Sequence, residues 1–344
     1  MHPVKLATMA RLAPALAAAA RLGIADHLDG ETLSYGDLAK AVDAHPDALL
    51  RLLRILAAVG IFEESATGEF RNSEDSRTLQ SSNPRSVRNV CVLLGEMYHE
   101  SWSALLHTVK TGESAAKHAL GKPMYEYMRK NPEAAEVFDQ AMEEMTRPVA
   151  AELANSYDFR DAQTVVDIGG GNGALLKGVM SAYPHLRGVS VDREDVCSRS
   201  EGELRESGDM PLLSRLRFSP ADFIESVPDG GDVYVLKNVL HDWNEVTGVR
   251  ILENARNAMM RTAERQRGRF AKEPRLLIIE PFVDEVADAA GRALAYMAYM
   301  VIGEDGARGH TESGLRRQLE NARLKVLSAM QLTTGHWVLE CGVA

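Results

Sequence analysis

The chain has 344 residues, of which 45% are hydrophobic, and its formal net charge is −10 at pH 7. This length and composition are typical of a globular protein with two domains and a substantial core, and they exclude a disordered chain. The acidic balance argues against a general affinity for nucleic acid or for anionic membranes.

The cysteines and the apolar segments restrict the class of protein further. Cys91, Cys197 and Cys341 lie far apart without a C-x-x-C spacing, which predicts structural thiols in a reducing compartment and neither disulfides nor a metal site. No segment approaches the roughly 18 uninterrupted apolar residues of a membrane span. The alanine-rich N-terminus continues at helical spacing past residue 22, so we interpret it as a packed amphipathic helix and not as a signal peptide. We therefore expect a cytoplasmic protein.

Residues 1–105 are predicted to form a first, mainly helical domain. Helices are expected over 37–41 and 46–59, followed by two short strands at 61–64 and 69–72 around a turn that contains Gly68. This order of elements is that of a winged helix-turn-helix, a pattern that binds DNA in other proteins.

The charges of this winged region disfavour DNA as its partner. Residues 31–77 contain nine acidic and five basic residues, which leaves the region negatively charged. The segment 49–56 is apolar around most of its circumference, so we expect it to be buried, in part against another subunit. The sequence therefore predicts a homodimer formed through intertwined N-terminal domains, and a DNA-binding regulator is the non-enzymatic alternative.

Residues 106–344 are predicted to form a helical linker and an α/β domain. Glycine and proline interrupt the helices at 112, 121–123 and 131–132. Strands are then expected near 164–168, 187–191, 216–219, 232–236 and 275–280, and near 324–331 and 335–342 as an antiparallel pair. Alternating strands and helices predict a mainly parallel, Rossmann-like sheet with helices on both faces. We interpret the charged segment 261–272 as a solvated loop.

The sequence TVVDIGGGNG at 164–173 is the most informative motif. A buried strand ends in a carboxylate and then in glycines, which allow a nucleotide-like group to lie against backbone N–H groups. Gly169, Gly171 and Ala174 also fit the G-x-G-x-x-G/A spacing of a dinucleotide fold. Asp167, however, would repel a pyrophosphate and can hold an ammonium group. The motif favours S-adenosylmethionine, with dinucleotide binding or a tight turn as alternatives.

Acidic and aromatic residues follow the next two strands. Asp192 lies about 20 residues after the glycine loop, a position that suits hydrogen bonds to ribose hydroxyls. Asp222 and Phe223 offer an acid for an adenine amino group and a ring to lie against the base. Each of these residues also fits an ordinary turn.

After the fourth strand, the sequence KNVLHDW at 237–243 places His241 at the carboxyl end of a central strand. Open α/β sheets bind their ligands at this edge. A neutral imidazole there can accept a proton from a substrate hydroxyl, although an isolated histidine is more often structural.

These residues resemble a known family, the S-adenosylmethionine-dependent small-molecule O-methyltransferases. The family includes plant caffeate and flavonoid enzymes and bacterial enzymes that act on polyketides and other aromatic natural products. The resemblance covers nearly the whole chain. It rests on the glycine motif, on Asp222-Phe223, on Lys237 before His241-Asp242-Trp243, and on the earlier landmarks Trp102, Gly112, Tyr125, Asn131-Pro132-Glu133, Phe138 and Ala141-Met142.

The resemblance implies a class I methyltransferase fold with an N-terminal winged-helix dimerisation domain, and a role for each matching residue. His241 is then the general base, and Glu280, at the end of the fifth strand, orients it. The family's second orienting glutamate falls at Gly309, so this chain departs from the pattern there, and His310 and Glu304 are the candidates to replace it. The implied cofactor-binding residues are Asp167, Gly169, Gly171, Asp192, Asp222, Phe223 and Lys237. We expect Asp242, Trp102 and Met142 to bind the substrate. Met142 belongs to a methionine-rich group that can line an adaptable aromatic pocket, and core packing explains these methionines equally well.

The chemistry of a phenolic acceptor fits this set of residues. A phenol has a pKa near 10 and histidine one near 6.5, so full deprotonation before attack is uphill by about 3.5 pH units, or ~5 kcal/mol. Either proton removal accompanies methyl transfer or the phenol is unusually acidic, as in a polycyclic, carbonyl-bearing acceptor.

The predicted function is therefore O-methylation of a phenolic hydroxyl on a small aromatic acceptor, without a metal. One alternative is a hydroxylase or decarboxylase that acts on an anthracycline-like substrate. Such an enzyme binds S-adenosylmethionine only as a charged surface of the substrate pocket and transfers no methyl group. Retention of both His241 and Glu280 favours methyl transfer over that reaction. A nicotinamide-dependent dehydrogenase is a further alternative.

Overall fold

The computed structural model describes residues 2–267, 272–284 and 289–344. These residues form two compact units. The first contains the chain up to Ser103 together with Lys130–Met145, and the second contains Ala104–Arg129 and Thr146–Ala344. The chain passes between the units three times, and the third passage, after Met145, falls inside one long helix, Pro132–Ser156.

The first unit is helical with a small sheet, as the sequence predicts. Its helices are α1 (Pro3–Met9), α2 (Leu12–Arg21), α3 (Ile24–His27), α4 (Tyr35–Ala41), α5 (Pro46–Ala58), α6 (Arg88–Gly95) and α7 (Met97–Ser103), with a 3-10 turn at Ser76–Leu79. Its strands are β1 (Leu33–Ser34), β2 (Phe62–Ala66) and β3 (Glu69–Asn72), and β3 pairs antiparallel with both others. The two-residue strand β1 was not predicted from the sequence.

Local capping determines where the winged-region helices begin. Ser34 accepts a hydrogen bond from the backbone N–H of Asp37, and His45 accepts one from Ala48 just before Pro46. Such N-cap contacts satisfy donors that have no partner within the helix. The N-terminal segment is interrupted between α1 and α2, so the single long helix predicted there is wrong.

Within the single chain, only one side of the segment 49–56 is buried, and burial of the other side against a second subunit stays a prediction. Leu49, Leu53 and Leu56 pack inward against Phe62 and Phe70, whereas the opposite face of α5 is exposed. That face carries Arg51, Arg54 and Ile55, and both arginines form ion pairs with nearby carboxylates. The helix is therefore amphipathic, with its leucines four and three residues apart on the buried side.

The second unit contains the predicted α/β sheet. Its helices are α8 (Leu105–Thr111), α9 (Ala115–Leu120), α10 (Met124–Lys130), α11 (Pro132–Ser156, shared with the first unit), α12 (Ala174–Ala182), α13 (Glu194–Glu206), α14 (Met210–Leu213), α15 (Glu245–Arg265), α16 (Ala289–Ile302) and α17 (Glu312–Asn321), with a 3-10 turn at Leu240–Asp242. Its strands are β4 (Thr164–Ile168), β5 (Arg187–Asp192), β6 (Leu216–Pro220), β7 (Val233–Lys237), β8 (Arg275–Pro281), β9 (Leu324–Gln331) and β10 (His336–Val343).

The sheet has the order β6-β5-β4-β7-β8-β10-β9. All neighbours up to β8 are parallel, and β10 is antiparallel to both β8 and β9. The prediction of a mainly parallel sheet with one antiparallel strand is confirmed. Successive strand residues point to opposite faces, so Val165 and Val166 enter different apolar clusters on the two sides of the sheet. This two-sided burial explains the continuous apolar runs of β4 and β7.

The prediction of a loop over 261–272 is wrong for its first part. Helix α15 continues to Arg265, because Ala258 and Thr262 still face the sheet and are buried. The Thr262 hydroxyl also hydrogen-bonds with Tyr234 and accepts from the backbone N–H of Gly230, at 2.8 Å in both cases. Residues 268–271 lie outside the described part of the chain.

Two findings bear on the class of protein. Cys91, Cys197 and Cys341 are free thiols, and burial raises their pKa values to about 11, about 11 and about 12. Within the described residues, no helix combines the length and the apolar character required for a membrane crossing.

Candidate active site

The functional residues predicted from the α/β half of the sequence lie along one edge of the sheet. Because β4, β7 and β8 are parallel neighbours, their carboxyl ends meet at the same edge. The glycine loop follows β4, His241 follows β7, and Glu280 is near the end of β8. Crossovers to opposite sides of β4 make this edge the usual ligand site of an open α/β sheet.

The glycine loop after β4 leaves its backbone accessible. Gly169 has a φ of +73°, and a Cβ there would lie only 2.8 Å from Val239 Cγ2. Gly171 has a φ of +53°, and nothing lies within 4 Å of the position that its Cβ would take. Left-handed backbone favours glycine, and the open space over Gly171 lets a ligand approach the main chain directly.

Asp192, at the end of β5, is fixed beside this loop. Its Oδ2 accepts a hydrogen bond from the Gly171 N–H at 3.0 Å, and its Oδ1 accepts one from the Arg193 N–H at 2.8 Å. The Ser190 hydroxyl donates to the Gly171 carbonyl at 3.1 Å. These bonds connect the tip of β5 to the loop after β4, so the carboxylate and the glycine backbone form one rigid structure.

Phe223 and Asp222 follow β6. The Phe223 ring packs edge-on against Trp243, with 6.2 Å between ring centroids, and lies beside Gly169. Asp222 is exposed and accepts a hydrogen bond from the Ile224 N–H at 2.9 Å. The side chain of Asn254 donates to the carbonyls of Phe223 and Ile224. The ring thus borders the glycine loop, and Asp222 also has the turn role considered from sequence.

Asp167 and Lys237 are an acidic and a basic residue near the ends of the adjacent strands β4 and β7, where they have little access to water. Burial raises the pKa of Asp167 to about 7, with Asp192 adding to the effect and Lys237 opposing it. Burial lowers the pKa of Lys237 to about 8, opposed by Asp167 and Glu280. The ammonium of Lys237 donates to the Thr146 hydroxyl at 2.7 Å. Ionised Asp167 is therefore costly in this place, and a cationic ligand would stabilise it.

His241 is buried and bonded to Glu280. The distance from His241 Nδ1 to Glu280 Oε2 is 2.6 Å, and Glu280 Oε1 accepts from the backbone N–H groups of Val239 and Leu240 at 3.1 and 3.0 Å. A carboxylate that accepts these bonds requires a proton on Nδ1, so the neutral ring has its lone pair on Nε2. Nε2 lies 3.6 Å from Asp242 Oδ1.

The charges around His241 favour its protonated form. Burial alone would lower the pKa of His241, but the charges of Glu280 and Asp242 and the hydrogen bond to Glu280 outweigh it and raise the pKa. Burial alone would raise the pKa of Glu280, but the charge of His241 and its hydrogen bond lower that pKa below its usual value. The pair therefore resembles an ion pair as the ring takes up a proton, which is the state that a general base must reach.

Asp242 is partly buried and has a second partner. The Tyr125 hydroxyl on α10 donates to Asp242 Oδ2 at 2.5 Å. Burial raises the pKa of Asp242, opposed by His241 and by Tyr125. The Tyr125 ring stacks on Trp243 at 6.4 Å, and the guanidinium of Arg193 lies over it at 5.1 Å. Two acceptor atoms, His241 Nε2 and Asp242 Oδ1, thus lie side by side.

Position 309 has no room for a second acid. A Cβ on Gly309 would overlap Val283 and lie 2.9 Å from two carbons of the Tyr299 ring. The Tyr299 ring itself packs on the His241 imidazole, with 4.4 Å between centroids and an interplanar angle of 36°. His310 is buried, and none of the residues that the structure describes forms a hydrogen bond with its Nε2. Burial lowers the pKa of His310 despite the charge of Glu280.

Comparison with known proteins agrees with this geometry. Residues 102–322 match the model of an O-methyltransferase domain, and residues 4–82 match that of an O-methyltransferase dimerisation domain. The chain belongs to the O-methyltransferase family. The predicted family resemblance and the class I methyltransferase fold are thereby confirmed.

Individual methyltransferases are similar over most of their length. O-demethylpuromycin-O-methyltransferase of Streptomyces alboniger is 34% identical over 307 residues, which are 88% of this chain and 78% of that enzyme. The crystal structure of LaPhzM superposes with a TM-score of 0.88 at 30% identity, covering 99% of this chain and 98% of that one. An O-methyltransferase from neocarzinostatin biosynthesis, solved with S-adenosylmethionine and 2-hydroxy-5-methyl naphthoic acid, gives a TM-score of 0.76 at 25% identity over 97% and 96% of the two chains.

Most of the predicted site residues of this O-methyltransferase lie at the sheet edge. These residues are Asp167, Gly169, Gly171, Asp192, Asp222, Phe223, Lys237, His241, Asp242 and Glu280. Trp102 on α7 and Met142 on α11 belong to the first unit, and their substrate-binding role stays a prediction.

Three further residues of the site, Thr146, Tyr299 and Asn238, were not predicted from the sequence. Asn238 follows β7 with a φ of +53°, and its buried Oδ1 has no hydrogen-bond partner within the described ranges of the chain. Asparagine is among the few residues that tolerate this conformation, so its place after the strand was the only available signal. Thr146 and Tyr299 come from helices far away in sequence, and no local pattern connects them to Lys237 or His241. In the described part of the chain, no cluster of His, Cys, Asp and Glu could hold a metal ion.

Proposed function

We propose that this O-methyltransferase transfers a methyl group from S-adenosylmethionine to a phenolic hydroxyl of a small, polycyclic aromatic acceptor, with His241 as the general base. The observation that carries the proposal is the 2.6 Å contact between His241 Nδ1 and Glu280, which puts the lone pair of the neutral ring on Nε2, beside Asp242. An imidazole in that tautomer is a base for a hydroxyl placed against Nε2.

The residues around the glycine loop fit the cofactor. S-adenosylmethionine supplies an electrophilic methyl group on a positively charged sulfonium. Asp192 is positioned to take the ribose hydroxyls, since its two carboxylate oxygens are held in place by backbone N–H groups. Phe223 presents a ring beside Gly169 for the adenine, and Asp222 stands next to it. Asp167 and Lys237 offer opposite charges to the amino acid portion of the cofactor.

The role of the protein in the reaction is mainly to align and to receive a proton. His241 accepts the phenolic proton on Nε2, and Glu280 stabilises the imidazolium that results. Because the pKa of His241 is raised, the difference between this pKa and that of a phenol is smaller than the ~3.5 pH units that separate the unperturbed groups. A carbonyl-bearing aromatic ring would narrow the gap further, which supports a polycyclic acceptor. The neocarzinostatin enzyme was solved with a polycyclic aromatic compound of this size, 2-hydroxy-5-methyl naphthoic acid.

We further propose a homodimer formed through the first unit, because residues 4–82 match a dimerisation domain. The exposed apolar side chains of α1, which has no buried residues within the chain, support this assembly. The cytoplasmic location and the absence of DNA binding stay predictions.

The test is a product assay with methyl-labelled S-adenosylmethionine and a panel of hydroxynaphthoates and hydroxyphenazines, with arylamines as competing acceptors. We expect label on a phenolic oxygen together with S-adenosylhomocysteine. The same assay without oxygen separates methyl transfer from hydroxylation, since only the latter consumes oxygen. Transfer to nitrogen alone, or an acceptor that loses carbon dioxide without gaining label, would contradict the proposal.

A further inference from the structure

One carboxylate, that of Glu280, orients His241 in this chain, whereas two glutamates orient the histidine in the family pattern that the sequence resembles. Glu280 binds the Nδ1 edge of His241 at 2.6 Å, and the position of the second acid is Gly309. A single hydrogen bond along one edge leaves a ring free to tilt about the axis of that bond. Some other contact must therefore restrict the tilt if Nε2 is to keep a fixed direction.

The Tyr299 ring on α16 provides a contact of this kind. It lies against the face of the imidazole at 4.4 Å, tilted by 36°. A face contact and an edge hydrogen bond restrict different motions, so together they define the plane of His241. Tyr299 also occupies the space that a side chain at position 309 would need, because a Cβ there would lie 2.9 Å from its ring. The glycine at 309 and the tyrosine at 299 are thus sterically linked.

We propose that Tyr299 is a positioning residue that holds the imidazole of His241 in place of a second carboxylate. The inference rests on the proposed role of His241 as general base. Glycine at position 309 is then a requirement of this arrangement and not a loss of function.

The tyrosine face also has an electrostatic effect on the base. The π-face of an aromatic ring attracts a cation, by more where water is excluded, so it stabilises the imidazolium relative to the neutral ring. Tyr299 itself keeps its proton, because burial and the charges of Glu280 and Asp242 raise its pKa. The other titratable groups that act on His241 are Glu280, Asp242, Lys237, His310 and His336.

The test compares Tyr299→Phe, which keeps the ring, with Tyr299→Met, which keeps an apolar cover over His241 without a π-face. Tyr296→Met makes the same change elsewhere on α16 and serves as the matched control. All three are made in the full chain. The pKa of His241 is measured by NMR with histidine labelled on the ring, and its signal is assigned by its loss in His241→Ala.

We expect Tyr299→Met to lower the pKa of His241 by about 0.5 to 1.5 pH units through loss of the cation–π contact. Its kcat should fall about 10–100-fold, the usual cost of a misaligned reacting group, and the acid limb of its pH profile should move to lower pH. Tyr299→Phe and Tyr296→Met should keep the wild-type His241 pKa. The cofactor Kd should be unchanged in all three variants.

An unchanged or raised His241 pKa in Tyr299→Met would overturn the inference, as would equal effects of Tyr299→Phe and Tyr299→Met. The titration needs no acceptor, so it remains informative if no methyl transfer is found. In that case the proposed function fails while the contact is still tested. If the wild type methylates and His241→Ala does not, but Tyr299→Met behaves as wild type, only the inference fails.

Discussion

At the scale of single residues, the site concentrates ionisable groups that the fold removes from water. Asp167, Lys237, His241, Asp242 and Glu280 all have pKa values displaced by burial and by one another. Buried charges cost stability unless they are paired. Such clusters are typical of functional sites. Substitution of these residues tests what their charges contribute to catalysis, to cofactor binding or to stability.

His241→Ala should lower kcat by about 10²–10⁴, the usual contribution of a general base, with an unchanged cofactor Kd. In the wild type, kcat/KM should rise with pH through a His241 pKa above 6.5, because only the neutral ring accepts a proton. The variant should be partly rescued at high pH, where the phenol ionises unaided. Steady-state kinetics across pH provide the measurement, and wild-type turnover by His241→Ala at neutral pH would show that alignment alone suffices.

Glu280→Gln is the companion test of the tautomer. Two backbone N–H groups already bind Glu280 Oε1, so an amide would present its NH2 group to Nδ1. The ring would then carry its proton on Nε2 and could not act as a base. We expect a fall in kcat of about 10²–10⁴, as for the asparagine variant of the serine protease triad aspartate. Retention of more than half of the activity would contradict the assigned tautomer.

Asp167→Asn should stabilise the ligand-free protein. The folded pKa of about 7 lies above the unfolded value, so the fold favours the protonated acid, and ionisation costs stability. The cost begins above about pH 4 and is complete above about pH 7, where the variant should gain about 1–3 kcal/mol. Thermal unfolding at pH 5 and pH 8 measures this. S-adenosylmethionine should raise the Tm of the variant less than that of the wild type, and a destabilised variant at pH 8 would refute the prediction.

At the scale of elements, the cofactor edge depends on contacts between neighbouring strand ends. Asp192 at the tip of β5 connects to the loop after β4, and Glu280 near the end of β8 binds the backbone after β7. Parallel pairing places these ends in register, so residues more than twenty positions apart in the chain act together.

Asp192→Ala should therefore weaken binding of S-adenosylhomocysteine by about 1.5–3 kcal/mol, as expected for lost charge-assisted hydrogen bonds. The loss includes the bond that orders Gly171. Calorimetry gives the affinity, and Glu194→Gln, which removes an exposed carboxylate two residues later, is the control. Equal affinities of Asp192→Ala and the wild type would mean that Asp192 only caps the turn.

At the scale of the whole molecule, the first unit leaves apolar surface exposed. Val4 and Leu6 on α1 are 66% and 62% exposed, and α1 has no buried residue. Neighbouring exposed apolar side chains of this kind are typical of a surface that binds another protein. The matching dimerisation domain indicates a second copy of the chain.

The double variant Val4→Glu and Leu6→Glu should shift the protein towards monomers, because two charges per chain would have to be buried at the interface. Light scattering over a range of concentrations measures the mass. Circular dichroism should remain that of the wild type, since these side chains make no buried contact within the chain. A monomeric wild type at micromolar concentration would exclude the proposed dimer.

The sequence by itself determined the parallel sheet, the glycine loop, the histidine after β7 and the family. All of these depend on local patterns, namely apolar runs, glycine spacing and residues that directly follow strands. The extension of α15 to Arg265 was missed because its surface residues are charged, and only the sheet beneath shows that Thr262 is buried.

Only the tertiary structure decided how His241 is held. Tyr299, Tyr125 and Thr146 reach the site from helices that precede or follow it by many residues, and no spacing in the sequence connects them to their partners. The same holds for the pKa values of Asp167 and Lys237, which depend on exclusion of water by the packed chain. Local patterns depend on residues that are neighbours in the sequence, whereas burial and contacts between distant residues exist only once the chain has folded.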